Sequence, residues 1–327
     1  MNKIILPFQI NVICKGYHGI AFPLGVIQSH IADFDKWICN KFINFTYRSD
    51  ASKYAIVEND GWSVEDGLTQ RFEMTLAPST ISWNLIDFVE LNKRMLAQGT
   101  YILGIYNEYY VPCKKPYQRR DFTHDYIIFG YDDEKEVFKS AGYVNSGNYE
   151  YFDLRYEDYI NSINSIRTHK FWINYNSMKP NYEPVIRIDK IINELGNYLN
   201  SQKDNFTIGS KDVFGVSACD KLAEYVKCGK NNLLDLRFTR AYMEHKAVMN
   251  LRLNTLHNEK IIKNRHTLEA YSENVYSKAC NAFNLSIKYN LTKRPEILET
   301  LYRYIKDINS AEKALLEKAM IEMKKYD

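Results

Sequence analysis

The chain has 327 residues, of which 45% are hydrophobic and 25% charged, as in globular proteins that bury a sizeable core. Its 43 basic and 40 acidic residues give a formal charge of +3, which is too small to indicate a nucleic-acid-binding protein. The six cysteines lack a Cys-x-x-Cys pair, which argues against a structural zinc site or a disulfide framework. Without an apolar run of about 20 residues or a signal peptide, we expect a cytoplasmic protein that does not enter a membrane.

The first 180 residues alternate short apolar stretches with turn signals. They predict helices at 20–45, with Pro23 in the first turn, and at 85–96. They also predict short extended segments at 4–6 and 9–13, and strands at 101–111, 126–129, 136–141 and 149–155. A helix followed by a run of strands predicts an α+β domain with an antiparallel sheet over residues 1–180.

Residues 174–184, with Asn, Ser, Pro and Lys, are predicted to form a linker. Beyond them, apolar residues recur three and four positions apart, which predicts a mostly helical domain over residues 181–327. Its helices are expected at 188–199, 216–226, 233–256, 269–289, 296–305 and 311–323.

Three segments carry a resemblance to a known family: "CKGYHGIAFPL" at 14–24, "YYVPCKKPYQRRDFTHDYIIFGYDD" at 109–133 and "YMEHKAVMNLRL" at 242–253. In this order they resemble the butirosin biosynthesis protein H family. The resemblance implies a papain-like N-terminal domain, related to bacteriocin-processing cysteine peptidases. It also implies an acyltransferase of antibiotic biosynthesis that moves an acyl group from the phosphopantetheine thioester of an acyl or peptidyl carrier protein to a small-molecule amine. No metal or directly bound cofactor is expected.

Cys14 and His124 are the expected catalytic pair. Cys14 lies between a short predicted strand and the first predicted helix, whose N-terminus would lower the thiol pKa and offer N–H groups to an oxyanion. His124 opens the apolar strand "DYIIFG", and an imidazole can deprotonate a thiol and later an amine. The alternatives are that Cys14 is a buried apolar side chain and that His124 is a solvated strand-edge histidine.

The residue that orients the histidine is less clear from the sequence. Gly142 stands where the resemblance places an aspartate, so Asn145 or Asn148 would have to accept the imidazole N–H instead. Both asparagines can equally be turn residues of "VNSGN". Gln9 is a candidate oxyanion donor or an exposed strand residue, and His18 is an alternative base or a surface histidine.

Four basic residues crowd the segment that leads to His124: Lys114, Lys115, Arg119 and Arg120. They are either a solvated loop or a contact surface for the carrier protein or the phosphate of its pantetheine arm. Two other functions stay open, namely a cysteine peptidase and a catalytically silent papain-like binding protein.

Overall fold

The computed structural model describes residues 2–48, 54–57, 69–76, 87–166, 171–178, 182–202, 212–229 and 232–326. The chain forms two compact units, Met1–Ala32 with Gly61–Glu183 and Asp33–Asp60 with Pro184–Asp327. The boundary after Glu183 lies close to the expected one after residue 180, but one long segment differs. Residues 33–60, which we expected in the first domain, belong to the second unit.

A seven-stranded sheet forms the centre of the first unit, in the order β4-β9-β5-β6-β7-β8 with β1 paired to β6. All of its pairings are antiparallel, which confirms the predicted antiparallel sheet. Its strands are β1 (Lys3–Ile5), β4 (Thr69–Leu76), β5 (Thr100–Asn107), β6 (Thr123–Asp132), β7 (Val137–Tyr143), β8 (Tyr149–Arg155) and β9 (Phe171–Met178).

The hydrophobic core of this unit follows from the sequence of its central strands. Every residue of β5, "TYILGIYN", is buried, as expected for a strand flanked on both sides and covered on both faces. Helices α3 (Phe88–Ala97) and α4 (Tyr156–Asn164) add Phe88, Leu96 and Tyr159 to this core. The Asp87 carboxylate caps α3 by accepting hydrogen bonds from the N–H groups of Val89 and Glu90.

The single helix predicted at 20–45 is wrong. Helix α1 runs from His18 to His30, where Ile31 turns to an extended conformation, and a separate helix α2 occupies Phe34–Cys39. After α2 the chain passes through Phe42, which has a φ of 57°, into β2 (Phe45–Arg48) of the second unit. Asn40 and Asn44, residue types that favour turns, were the overlooked signals.

The predicted linker at 174–184 is also wrong in its first part. Residues 174–178 belong to β9, which pairs with both β4 and β5 and is an interior strand. The misleading asparagine, Asn176, is fully buried. Residues 179–181 of the predicted linker and residues 85–86 of the predicted second helix lie outside the described residues.

The second unit is mainly helical, as predicted. A small sheet in the order β10-β2-β3 adds β3 (Tyr54–Val57) and β10 (Val213–Phe214). The predicted helices at 296–305 and 311–323 are one continuous helix, and a π-helical turn at Ser272–Ser277 precedes α9. The helices after α2 are α5 (Ile188–Leu199), α6 (Gly215–Cys228), α7 (Leu236–Asn258), α8 (Arg265–Tyr271), α9 (Lys278–Thr292) and α10 (Pro295–Met323).

Candidate functional site

His124 is the second residue of β6 and is held on two sides by its neighbours in the first unit. Its side chain is 39% exposed, and its Nδ1 atom lies 3.6 Å from Oε1 of Glu108. The ring of Phe122 stacks on the imidazole with centroids 5.5 Å apart and an interplanar angle of 20°. The carboxylate of Glu108 thus lies near Nδ1 of the imidazole, at a distance slightly longer than a hydrogen bond.

Glu108 is the residue that the sequence analysis missed. It begins a single 3₁₀ turn, Glu108–Tyr110, directly after β5, and its N–H donates to the carbonyl of Phe122 at 2.8 Å. Tyr106 of β5 is the register partner of His124, so Glu108 lies two residues further along on the same face of the pair. Burial raises the pKa of Glu108, and the charges of Lys114 and Arg120 oppose that shift.

Lys114 is a buried part of this cluster. Its side chain is only 2% exposed, and its Nζ donates to the carbonyl of Tyr143 at 2.7 Å and lies 3.9 Å from Oε1 of Glu108. Burial lowers the pKa of Lys114, whereas the carboxylate of Glu108 raises it. Its ammonium cannot reach a carrier protein from this position, so the structure removes Lys114 from the expected contact surface.

Gly142 gives Lys114 and His18 the room that they occupy. Its φ of 156° is rare for residues with a side chain. A Cβ atom on Gly142 would lie 2.9 Å from Nζ of Lys114 and 3.4 Å from Nε2 of His18. The position where the sequence lacked the expected aspartate is thus filled by a lysine and a histidine from other segments.

His18, the first residue of α1, is a buried partner of His124 rather than a surface histidine. Its ring centroid lies 4.6 Å from that of His124, in an edge-to-face arrangement, and it also stacks against Phe22 and Tyr143. Burial lowers the pKa of His18 well below 6.5, and the charges of His124 and Lys114 lower it further. A hydrogen bond to the backbone of Asp125 opposes this lowering of the pKa of His18.

Cys14 is fully buried in the irregular segment that precedes α1. It lies between β1 and α1, as expected, four residues before His18, where α1 begins. The next residue, Lys15, accepts a hydrogen bond at its carbonyl from the hydroxyl of Tyr143, whose ring stacks on His18. The Cys14 segment is thus anchored to the same cluster of rings that contains His124.

Gln9 and Asn145 make hydrogen bonds to residues outside the His124 cluster. The N–H of Gln9 donates to the carbonyl of Gly25, two helical turns along α1 from His18, and its side chain is exposed. Asn145 is exposed in the turn after β7, where its N–H donates to the carbonyl of Cys113 and its side chain to that of Pro112. The carboxylate beside His124 is that of Glu108, not a side chain of this turn.

The remaining basic residues line a cavity of about 340 Å³ next to Glu108. The guanidinium of Arg120 lies 5.2 Å from the ring centroid of Phe122, the same ring that stacks on His124. Three of the four basic residues thus line a cavity that includes Glu108 and Phe122, the two neighbours of His124. The residues that line the cavity are Glu108, Lys115, Pro116, Arg119, Arg120 and Phe122.

Within the described ranges, no group of three or more His, Cys, Asp or Glu side chains is placed to hold a metal ion. Nor does any helix in those ranges have the length and apolar composition needed to span a bilayer.

The site therefore combines a histidine with a carboxylate 3.6 Å from its Nδ1, a buried second histidine, a buried lysine and a cysteine segment joined to them through Lys15 and Tyr143, beside a basic cavity. This arrangement can move protons at a nucleophile and attract an anion. Comparison of the sequence with protein-family models and with curated proteins gave no match.

Proposed function

We propose that the first unit is a papain-like, cysteine-dependent acyltransferase that forms an amide bond. The observation that carries the proposal is the contact of 3.6 Å between Nδ1 of His124 and Glu108, in a unit where Lys15, the residue after Cys14, is hydrogen-bonded to Tyr143 of the same ring cluster. A carboxylate that orients an imidazole is the arrangement by which cysteine and serine acyl-transfer enzymes activate their nucleophile.

In the first half-reaction, His124 takes the proton of the Cys14 thiol, and the thiolate attacks the carbonyl carbon of a thioester donor. The tetrahedral intermediate collapses, the donor C–S bond breaks, and the departing thiolate receives the proton from His124. Glu108 stabilises the imidazolium that exists between the two proton transfers. The products are an acyl-Cys14 thioester and a free pantetheine thiol on the donor.

In the second half-reaction, an amine attacks the acyl-Cys14 carbonyl and His124 accepts a proton from the nitrogen. Collapse of this intermediate forms the amide and expels the Cys14 thiolate, which recovers its proton from His124. Converting a thioester to an amide is energetically downhill, so the reaction requires no nucleotide. The donor that this chemistry suits is an acyl or peptidyl carrier protein, and the acceptor is a small-molecule amine.

A catalytically silent papain-like binding protein is the second candidate, and the burial of Cys14 favours it. A side chain that is 0% exposed must become accessible before it attacks a donor. No observation in the first unit favours a peptidase in the same way, because Gln9 lies beside the middle of α1 and not at the catalytic histidine.

The test is alkylation with iodoacetamide at pH 6, followed by peptide mapping of each cysteine. If Cys14 is activated by His124, it reacts faster than the exposed Cys228, which serves as the internal reference. His124→Ala should slow the labelling of Cys14 by a factor on the order of 10², and Glu108→Gln by a smaller factor, because general-base catalysis is lost or weakened. His266→Ala, which removes a histidine that is 94% exposed, is the matched control and should change nothing.

If Cys228 reacts first and His124→Ala has no effect on Cys14, the silent binding protein becomes the better description. A second measurement is the mass of the protein after incubation with an acyl thioester of pantetheine. An added acyl group that is absent in Cys14→Ser supports the acyltransferase.

A further inference from the structure

The cavity beside Glu108 is lined by more cationic than anionic side chains. Lys115, Arg119 and Arg120 line it and are exposed, and among the described residues none of the three has a carboxylate within 4 Å. The acidic residue of the lining is Glu108, whose Oε1 atom lies 3.9 Å from Nζ of Lys114 and 3.6 Å from Nδ1 of His124. The charge of the lining is +3 from these cations and −1 from Glu108, so the cavity favours an anion.

The backbone holds these cations side by side. The N–H groups of Arg119 and Arg120 both donate to the carbonyl of Pro116, and the N–H of Gln118, which has a φ of 50°, donates to the carbonyl of Tyr109. The buried residue next to Lys115, Lys114, fixes the start of the turn through its bond to Tyr143. Because this turn is already ordered, less conformational entropy is lost when a ligand binds.

The cavity is larger than an inorganic anion needs. At about 340 Å³ it falls among pockets that hold small organic ligands, which typically measure roughly 300–1,000 Å³. Phe122, which is 38% exposed, offers an apolar wall between the guanidinium of Arg120 and the imidazole of His124. A ligand with an anionic end and an apolar body would place the anion at the arginines and the body along Phe122.

We infer that this cavity binds a phosphate ester, with the phosphate at Lys115, Arg119 and Arg120 and the organic part extending along Phe122 toward His124. Arginine guanidinium groups present paired N–H donors that match phosphate oxygens, and each such contact to a dianion is strong. The direction of the organic part rests on the proposed function, since it would bring a reactive group to the catalytic histidine. The phosphate site itself does not depend on any reaction at Cys14.

Binding is measured by calorimetry with two probes that differ only in the phosphate, pantetheine 4′-phosphate and pantetheine, on a Cys14→Ser protein that cannot be acylated. We expect the phosphorylated probe to bind at least about tenfold more tightly, because charge-assisted bonds to phosphate are lost with pantetheine. Inorganic phosphate should compete with the phosphorylated probe. In Arg119→Ala/Arg120→Ala the preference should fall to about twofold or less, in line with the loss of both guanidinium groups.

Lys324→Ala/Lys325→Ala is the matched control, since it also removes two exposed positive charges but from the second unit. It should keep the full preference. Equal binding of the two probes, no binding of either, or an equal loss in both double variants would overturn the inference. Because every measurement uses Cys14→Ser, a failure here leaves the acyltransferase proposal standing, and a failure of Cys14 to be acylated leaves this inference standing.

Discussion

The two units each contain a buried lysine beside a glutamate, but the surroundings of the two pairs differ. In the second unit, Lys246 and Glu312 are 0% and 1% exposed and their charged atoms are 2.6 Å apart. In the first unit, Lys114 and Glu108 are 3.9 Å apart, and Glu108 lines a cavity and approaches a half-exposed histidine. The pair in the second unit is thus fully enclosed, whereas the pair in the first unit adjoins a cavity.

Hydrogen bonding accounts for this difference. Glu312 accepts from Lys246, from the hydroxyl of Tyr198 at 2.6 Å and from the hydroxyl of Tyr271 at 2.5 Å. Lys246 also donates to Tyr198, and its Nζ lies 4.5 Å from the ring centroid of Tyr242. Because the lysine, the glutamate and the two tyrosines lie on different helices, these hydrogen bonds connect α5, α7, α8 and α10.

The largest effect is expected from breaking the pair in the second unit. Lys246→Met should lower the free energy of unfolding by about 3–5 kcal/mol, because it leaves the carboxylate of Glu312 buried without its cation. Lys246→Met/Glu312→Leu should recover much of this loss. The measurement is urea unfolding followed by circular dichroism, with Arg303→Ala of the exposed pair Arg303–Glu299 as a control that costs less than about 1 kcal/mol. A small loss in Lys246→Met would mean that the pair does not hold the helices together.

An intermediate effect is expected at Gly142 in the first unit. Gly142→Ala should lower the free energy of unfolding by about 1–2 kcal/mol. The new methyl group would contact Lys114, and the alanine backbone would have to keep an unfavourable φ. It should also slow the alkylation of Cys14, because Lys114 and His18 must move. Gly196→Ala is the matched control, because Gly196 lies in α5 with no atom within 4 Å of the new methyl group. That control should be neutral or stabilising by up to about 1 kcal/mol.

The smallest effect concerns pH and His18. The pKa of His18 is lowered in the folded state, so the unfolded chain binds the proton more readily and stability falls as the pH drops below about 6.5. The loss from this one group is at most about 1.4 kcal/mol per pH unit. His18→Asn should remove that part of the slope in urea unfolding measured between pH 7 and pH 5. The exposed His266→Asn should leave the slope unchanged, and an unchanged slope in His18→Asn would show that His18 takes up its proton in the folded state.

Local patterns in the sequence were enough to predict several structural features. The antiparallel strands around His124 and the helical second half followed from apolar periodicity, which depends on residues that are close in the chain. Two of the errors, the helix at 20–45 and the linker at 174–184, occurred where contacts between residues remote in the chain determine the structure. Asn176 is a turn-forming residue type, yet it lies in an interior strand because β4 and β5 pair with β9 on either side.

For the candidate site, the sequence by itself determined that the chain contains a candidate nucleophile, Cys14, and a candidate base, His124. It also determined that basic residues precede the histidine. Only the tertiary structure decided that Glu108 lies beside His124, since that contact depends on the register in which β5 pairs with β6. It also decided that Lys114 is buried at Gly142 while its neighbours Lys115, Arg119 and Arg120 line a cavity. Residue types limit which chemistry is possible, but distance and burial, which arise from packing between remote segments, determine which residues can take part.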